Sequence, residues 1–394
     1  MVAVLFWLSI LLIAYTYIGY PVLLALLSTL KREPELMSGA STSVTILITA
    51  YNEEAVIAKK LENSLAIDYP KEQLHIFVAA DGSSDRTVEI VERFASRGVE
   101  LSFLPQRNGK MAAINRAISQ VSSEIVLFSD ANNMYEPDVV SKLIEPFADP
   151  TVGATTGAKL IIPDGNSLSG AEGIYWKYES WIKKNETRLT TCTSAVGEIL
   201  AVRRNLYNAP PGNVINDDYY IALDLIRRGY KIFYVPEARS FEYASATMQD
   251  EMVRRARMNT GKYQAISLSW TSLPFHRPLV VWQIISHKFL RALLPFDFLG
   301  AFFASFLLAT FQKDFSGSFF KLSVPYAQWI FGGQVLFYVF AALGIKFRFP
   351  GWIGKLIYLP AYLVSSNIAI LRGFLGFLTK KQTNVWDRVK RSNV

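Results

Sequence analysis

Residues Glu124 to Asn133 read EIVLFSDANN, an apolar run from Ile125 to Phe128 that breaks off at Asp130. Such a run reads as a buried strand. A carboxylate at the carboxyl end of a strand is where an open α/β sheet places its ligand chemistry. The design recurs twice upstream. Leu74 to Ala80 (LHIFVAA) runs into Asp81 of DGSSD, and Val44 to Thr49 (VTILIT) into AYNEE. Helical patterns lie between the strands: Ala55 to Leu65, Thr87 to Ser96 and Met111 to Gln120. That alternation predicts a parallel sheet with right-handed crossovers and one crevice at the strand ends. The dinucleotide-binding fingerprint GxGxxG is missing after the first strand, where AYNEE stands, so a phosphate must be held by other means.

Composition divides the chain. Positions 33–270 have the mixed charge of a soluble domain, whereas Val2 to Leu30 carries no charged side chain. About 20 apolar residues suffice to cross a bilayer, so residues 1–30 read as a transmembrane helix, which Gly19 and Pro21 kink or tilt without preventing. The basic pair Lys31 and Arg32 follows the span, unlike the basic start of a signal peptide. By the positive-inside rule the domain is then cytoplasmic, in a cell (inner or plasma) membrane. Residues 271–378 repeat the pattern. Phe298 to Phe311, Val324 to Ile345 and Trp352 to Leu378 read as spans. Leu279 to Leu294, with His287, Lys288 and Arg291, reads as an interfacial helix. Residues 379–394 form a basic tail. Three C-terminal spans would place that tail outside, against the charge rule, unless one candidate is re-entrant or lies in the interface, or Leu279 to Leu294 spans after all.

The net charge of +8 sits largely beside these apolar segments and in the tail. Its partner is therefore the lipid bilayer, with no nucleic-acid motif beside it. A lone Cys192 excludes an intramolecular disulfide, and His75, His276 and His287 lack helical metal-pair spacing.

Within the crevice each motif has a chemical and a bland reading. Asp81 can accept hydrogen bonds from a base or ribose, or merely begin a turn into a helix capped by Ser or Asp. Lys110, after Asn108-Gly109, suits a diphosphate at a helix N-terminus. In Asp130-Ala131-Asn132, two oxygen ligands two residues apart can chelate a hard divalent cation, with Asp130 carrying most of the charge. Asp217-Asp218 opens a helix ended by Gly229. Adjacent side chains there point apart, so one is expected to face the crevice as a general base and the other to cap. Arg254, Arg255, Arg257 and Lys262 form a basic run that fits phosphate or lipid headgroups.

Taken in order, AYNEE, DGSSD, GKMAAIN (Gly109 to Asn115), DAN, GEILAVRR (Gly197 to Arg204), the aspartate pair, RRGYKIFYVPEA (Arg227 to Ala238) and RRARM resemble a membrane-embedded family 2 glycosyltransferase. The resemblance extends to the processive cellulose, hyaluronan and poly-N-acetylglucosamine synthases, and includes the tail VWDRVKR. It implies an α/β GT-A domain between N- and C-terminal transmembrane helices, and inverting transfer from a nucleoside-diphosphate sugar, a UDP-sugar, to a growing glycan. A polyprenyl-linked acceptor of a single sugar is the alternative, and a catalytically inactive scaffold a more distant one. The resemblance implies Asp218 as catalytic base and Ala50, Tyr51, Glu53, Asp81, Lys110, Asp130 and Arg257 as donor contacts. Asp217 and Arg254 would lie toward acceptor or diphosphate, and Asp130 with Asn132 would hold Mg2+ or Mn2+. Secretion or accessory subunits are further implied partners. In the QxxRW motif of the family this chain has Arg254 for the glutamine and Met258 for the tryptophan. Trp176, Trp181 and Trp270 are candidates to replace that acceptor platform.

Overall fold

The structure, a computed structural model, describes residues 1–33, 42–162, 167–212, 214–243, 248–269, 273–311, 324–347, 349 and 351–379. The expected basic tail beyond Thr379, its VWDRVKR motif and Trp270 lie outside the described residues.

A first helix, α1 (Val2–Thr29), enters the domain. The elements that follow are β1 (Val44–Ala50), α2 (Ile57–Leu65), β2 (Leu74–Asp81), α3 (Thr87–Glu92), β3 (Val99–Leu104), α4 (Lys110–Ile118), β4 (Ile125–Asp130), β5 (Asn133–Tyr135) and α5 (Val139–Ile144). Then come β6 (Val152–Ile162), α6 (Ser167–Leu189), β7 (Leu200–Arg203), α7 (Asp217–Arg227), β8 (Lys231–Tyr243) and α8 (Met248–Ser269). The chain continues into three long apolar helices: α9 (Pro278–Phe311), α10 (Val324–Lys346) and α11 (Gly351–Thr379).

The strands form one sheet in the order β3-β2-β1-β4-β7-β6-β8-β5. Strands β1 to β4 are mutually parallel, as the alternating pattern predicts. Beyond β4 the sheet is mixed: β7 runs antiparallel to both β4 and β6, and β5 antiparallel to β8. That half was not anticipated. Both faces of the sheet are covered. Ile46 and Ile48 of β1 pack with Ile57 and Leu61 of α2 on one side, while Leu47 packs with Met111 and Ile114 of α4 on the other. The period of two along a strand thus feeds two cores at once, which is why β1 is buried at every position.

Among the described residues four helices are long and apolar enough to cross a membrane: Val2–Thr29, Pro278–Phe311, Pro325–Lys346 and Leu356–Thr379. In α1, Tyr15–Gly19 is a π-turn and the helix continues through Pro21, so the expected disturbance stops short of a break. The segment from Leu279 to Leu294, expected as a separate interfacial helix, is instead the first half of the continuous α9. Val280, Val281, Ile284 and Phe289 are buried in the domain core, each burial worth roughly 1.5–3 kcal/mol. The polar residues that suggested an interface have partners in α6. His287 bonds Glu186 (2.8 Å) and Glu179 (3.2 Å), and Arg291 pairs with Glu179. Helix α6 also receives α1, through Tyr20 Oη donating to Glu186 at 2.6 Å.

Helix α11 packs against α8. Its Gly373 and Gly376 sit against Asn259 and Thr260 of α8, and Thr260 Oγ1 donates to the Gly373 carbonyl at 3.0 Å. At its middle Ser366 accepts a hydrogen bond from Arg255 at 3.4 Å, and toward its start Ile357 and Ala361 meet Gly344 of α10. So α11 packs along α8, from Gly344 near the end of α10 to Phe296 of α9, whose ring lies 5.1 Å from that of Phe374.

Candidate active site

The site is built first by strand register. Thr49 pairs with Asp130 and Ala50 with Ala80, so the polar segments after β1, β2 and β4 leave the sheet at one edge. The AYNEE and DGSSD segments then zip together. Asn52 holds φ 53° while its Oδ1 accepts from Ser84 N (2.8 Å) and its own N–H reaches Ser83 Oγ (3.1 Å). Glu53 N donates to Thr87 Oγ1 at 2.7 Å and Glu54 N to Asp85 Oδ2 at 3.1 Å. Asp85 Oδ1 also takes the Thr87 N–H at 2.9 Å from just before α3, whose cap position is Arg86 and not the expected Ser or Asp. Much of these two motifs is therefore scaffold.

Asp81 does both. Its Oδ2 accepts the N–H groups of Asn108 (2.9 Å) and Gly109 (2.6 Å), which fixes the start of α4. Gly109, at φ 94°, takes a conformation other residues rarely adopt. The other oxygen, Oδ1, is buried and accepts no hydrogen bond, with Arg116 3.9 Å away. An acceptor left over in this way can serve a ligand N–H or O–H.

Lys110, thus placed, donates to Asp130 Oδ1 at 2.9 Å and lies 3.5 Å from Asp217 Oδ2. Burial drives its ammonium toward neutrality, but the charges of Asp130, Asp217 and Asp218 outweigh that and hold its pKa above the ordinary lysine value. The aspartate pair opens α7 differently from expectation. Both Asp217 and Asp218 line the same cavity, and neither caps: the cap position is Asn216, whose side chain donates to the Met258 carbonyl at 2.9 Å instead. At a helix terminus that itself points into the cavity, two adjacent side chains can both reach it. Burial first, then the neighbouring charge of Asp217, raises the pKa of Asp218.

The cavity holds about 1190 Å³. Of the residues the sequence singled out, Glu53, Lys110, Asp130, Asn132, Asp217, Asp218, Arg254 and Arg257 line it. Ala50, Tyr51 and Asp81 stand outside its walls. Ala50 is buried at the end of β1, and the Tyr51 ring lies 3.8 Å from the Arg107 guanidinium. The three arginines of α8 diverge. Arg254 and Arg255 both bind Glu251, and Arg255 reaches on to α11, whereas Arg257 lies within electrostatic reach of Asp217, Asp130 and Asp218. Met258 and Trp176 also face the cavity, so an aromatic wall comes from α6, while Trp181 does not line it.

Asn132 is held by a group the sequence did not reveal. Its Nδ2 donates to Glu242 Oε1 at 3.2 Å, and Lys159 bridges Glu242 and Glu198. The Asn132 Oδ1 is left buried without a hydrogen-bond partner. An orphaned oxygen on a residue that lines the same cavity as the Asp130 carboxylate fits a hard cation. Among the described residues no three His, Cys, Asp or Glu side chains converge on a metal position, so further ligands would come from donor phosphates. Glu242, Glu198 and Lys159 were missed because their partners come from different strands and carry no local spacing.

Comparison with known proteins agrees with this geometry. Residues 45–209 match Glycosyl transferase family 2. Over 245 residues the chain is 27% identical to a poly-beta-1,6-N-acetyl-D-glucosamine synthase of Staphylococcus aureus (strain COL), covering 60% of this chain and 59% of that relative. An N-acetylglucosaminyltransferase of Rhizobium leguminosarum bv. viciae is 26% identical over 263 residues, 62% of this chain and 58% of the relative. The chain thus spans less than two thirds of either. The mannosyltransferase PcManGT from Pyrobaculum calidifontis, solved with GDP-Man and Mn2+, shares the fold at a TM-score of 0.71 and 20% identity, over 97% of this chain and all of that one. Residues 45–209 are accordingly similar to a glycosyl transferase family 2 domain, and the chain that carries them has a GT-A-type fold.

Proposed function

We propose that the chain transfers a sugar, with inversion, from a nucleoside-diphosphate sugar to a hydroxyl of an acceptor held in the cavity. The observation that carries this reading is the convergence of Asp218 with the Asp130–Lys110–Asp217 chain and Arg257 on one cavity. Lys110, at the N-terminus of α4, and Arg257 would hold the diphosphate by charge and helix dipole together. Asp218 would take the proton from the acceptor hydroxyl. The oxygen then bonds to the anomeric carbon from the face opposite the leaving group. The bond to the diphosphate breaks, and its electron pair leaves with the diphosphate, against Lys110 and Arg257. Asp130 and Asn132 would hold a divalent cation, Mg2+ or Mn2+, which when bound neutralises diphosphate charge.

The donor in this reading is a UDP-sugar and the acceptor a growing polysaccharide or glycan. A second reading, one sugar added to a polyprenyl-linked acceptor, is favoured by the cavity itself. It continues from Asp218 to apolar walls just past α10 and on α11, such as Phe347, Ile357 and Leu363. Lys31 and Arg32 after α1 favour a cytoplasmic domain at the cell membrane. With α11 lying along the domain, α1, α9 and α10 would span, and the tail would stay on the domain side. That arrangement satisfies the charge rule which three C-terminal spans would break. Purified protein assayed with a panel of nucleotide sugars and Mg2+ or Mn2+, followed by product sizing, tests the proposal. A ladder of products supports the polymer, a single addition supports the lipid-linked acceptor, and no binding or turnover of any donor removes the enzyme reading.

A further inference from the structure

Beyond the donor site, the far end of the cavity gathers positive charge. Lys262 comes from α8, Lys288 and Arg291 from α9, and all three line the cavity. Lys288 Nζ donates to Ser194 Oγ at 2.5 Å. Lys262 Nζ donates to Asn259 Oδ1 of its own helix at 3.1 Å. Arg291 pairs with Glu179, a carboxylate already shared with His287, and its Nη2 is buried without a hydrogen-bond partner. These cations feel one another: burial, then the charges of Lys288 and Arg291, push Lys262 down to about 8. Glu179 and Glu186 face this cluster and offset part of its charge, but at Lys262 the repulsion from Lys288 and Arg291 outweighs Glu179, and charge-assisted hydrogen bonds to a phosphate would relieve it. The wall next to them is apolar, including Leu294, Ile357 and Ile370.

We propose that Lys262, Lys288 and Arg291 form a second anion site, distinct from the donor diphosphate site, which holds the phosphate group of a lipid-linked acceptor while the lipid runs along α10 and α11. This rests on the glycosyltransferase reading and names its acceptor class. Lys110 and Arg257 face the carboxylates of the donor side, whereas this cluster is set against Ser194 and Glu179. Lys288 nevertheless stays within electrostatic reach of Asp218, so an acceptor anchored here sits beside the proposed base.

The test uses the full chain in nanodiscs of neutral phospholipid, with three probes: a polyprenyl monophosphate, the corresponding polyprenol and inorganic phosphate. The site predicts that the polyprenyl phosphate binds at least about tenfold more tightly than either other probe. Lys262→Met should weaken that binding by about tenfold. Without ligand the same variant should melt no lower than the wild type, because it removes a repelled buried cation. Arg291→Gln, which also breaks the Glu179 pair, is a second variant with the same expected loss of binding. Equal binding of the phosphate and the alcohol, or no effect of Lys262→Met, overturns the site. Inorganic phosphate binding as tightly as the lipid phosphate overturns its lipid specificity. Binding of a nucleoside diphosphate to the wild type in the same nanodiscs keeps the readings apart. Its loss sinks the glycosyltransferase reading, whereas its presence with indifferent lipid binding sinks only the anion site.

Discussion

The Lys110 ammonium lies 2.9 Å from an Asp130 carboxylate oxygen, which ties the first residue of α4 to the last residue of β4. Asp217, 3.5 Å from the same ammonium, extends the chain to α7. Three elements thus meet at one cation, and the raised proton affinity of Asp218 follows from what stands around it.

Burial and the Asp217 charge raise the pKa of Asp218, while Lys110 works against them. Replacing Asp217 with Asn removes a raising charge and loosens Lys110 from its second carboxylate. Both changes lower the pKa of Asp218, so the base becomes ionised at lower pH. The acidic limb of the pH profile of kcat should therefore move down in Asp217→Asn. A limb that stays in place would show that another group governs it.

The Asn132 side chain donates to Glu242, so an aspartate there would set two carboxylates against each other. Without a divalent cation, Asn132→Asp should lower the thermal midpoint. With saturating Mn2+ the midpoint should rise to or above the wild-type value, since a ligand bound to the folded state stabilises it by mass action. A variant that melts alike with and without Mn2+ would place the cation elsewhere.

How far the sequence led depends on where each partner lies. The apolar runs of β1, β2 and β4 and the polar segments after them were readable because burial and turn chemistry are local signals, and the register then aligns Thr49 with Asp130. Lys110 and Asp218 were legible for the same reason, each standing at a helix start. The Lys159–Glu198–Glu242 cluster was not legible, since β6, β8 and the segment before β7 meet only in the folded sheet. His287 and Arg291 misled in the opposite direction. Their charge argued for an interface because their partners, Glu179 and Glu186, lie far upstream in α6. Nor could sequence show that both aspartates of α7 reach the cavity, which depends on where the helix terminus points.

Gly373 gives the contact between α11 and α8 a specific test. A Cβ at this position would lie 2.5 Å from Asn259 Cβ and 2.9 Å from the Thr260 nitrogen, too close for either to yield easily. Gly373→Val should cost about 1–3 kcal/mol of stability through overpacking. Because α8 carries Arg257, it should also reduce donor affinity. A variant with wild-type melting would show that α11 does not pack here.

The course of α11 along the domain can be read by labelling. Cys192, the lone cysteine of the chain, is buried and gives little background. A membrane-impermeant maleimide should label Thr379→Cys from the same side as Glu72→Cys in the domain. Labelling from opposite sides would mean that α11 crosses the membrane.

The central claim is that Asp218 removes the proton from the acceptor hydroxyl while Lys110 and Arg257 hold the donor. Single-turnover sugar transfer by Asp218→Asn, with donor affinity measured on the same protein, tests it most directly. The account predicts donor binding close to that of the wild type and a transfer rate reduced by about 10²–10⁴-fold. Transfer at the wild-type rate would contradict it.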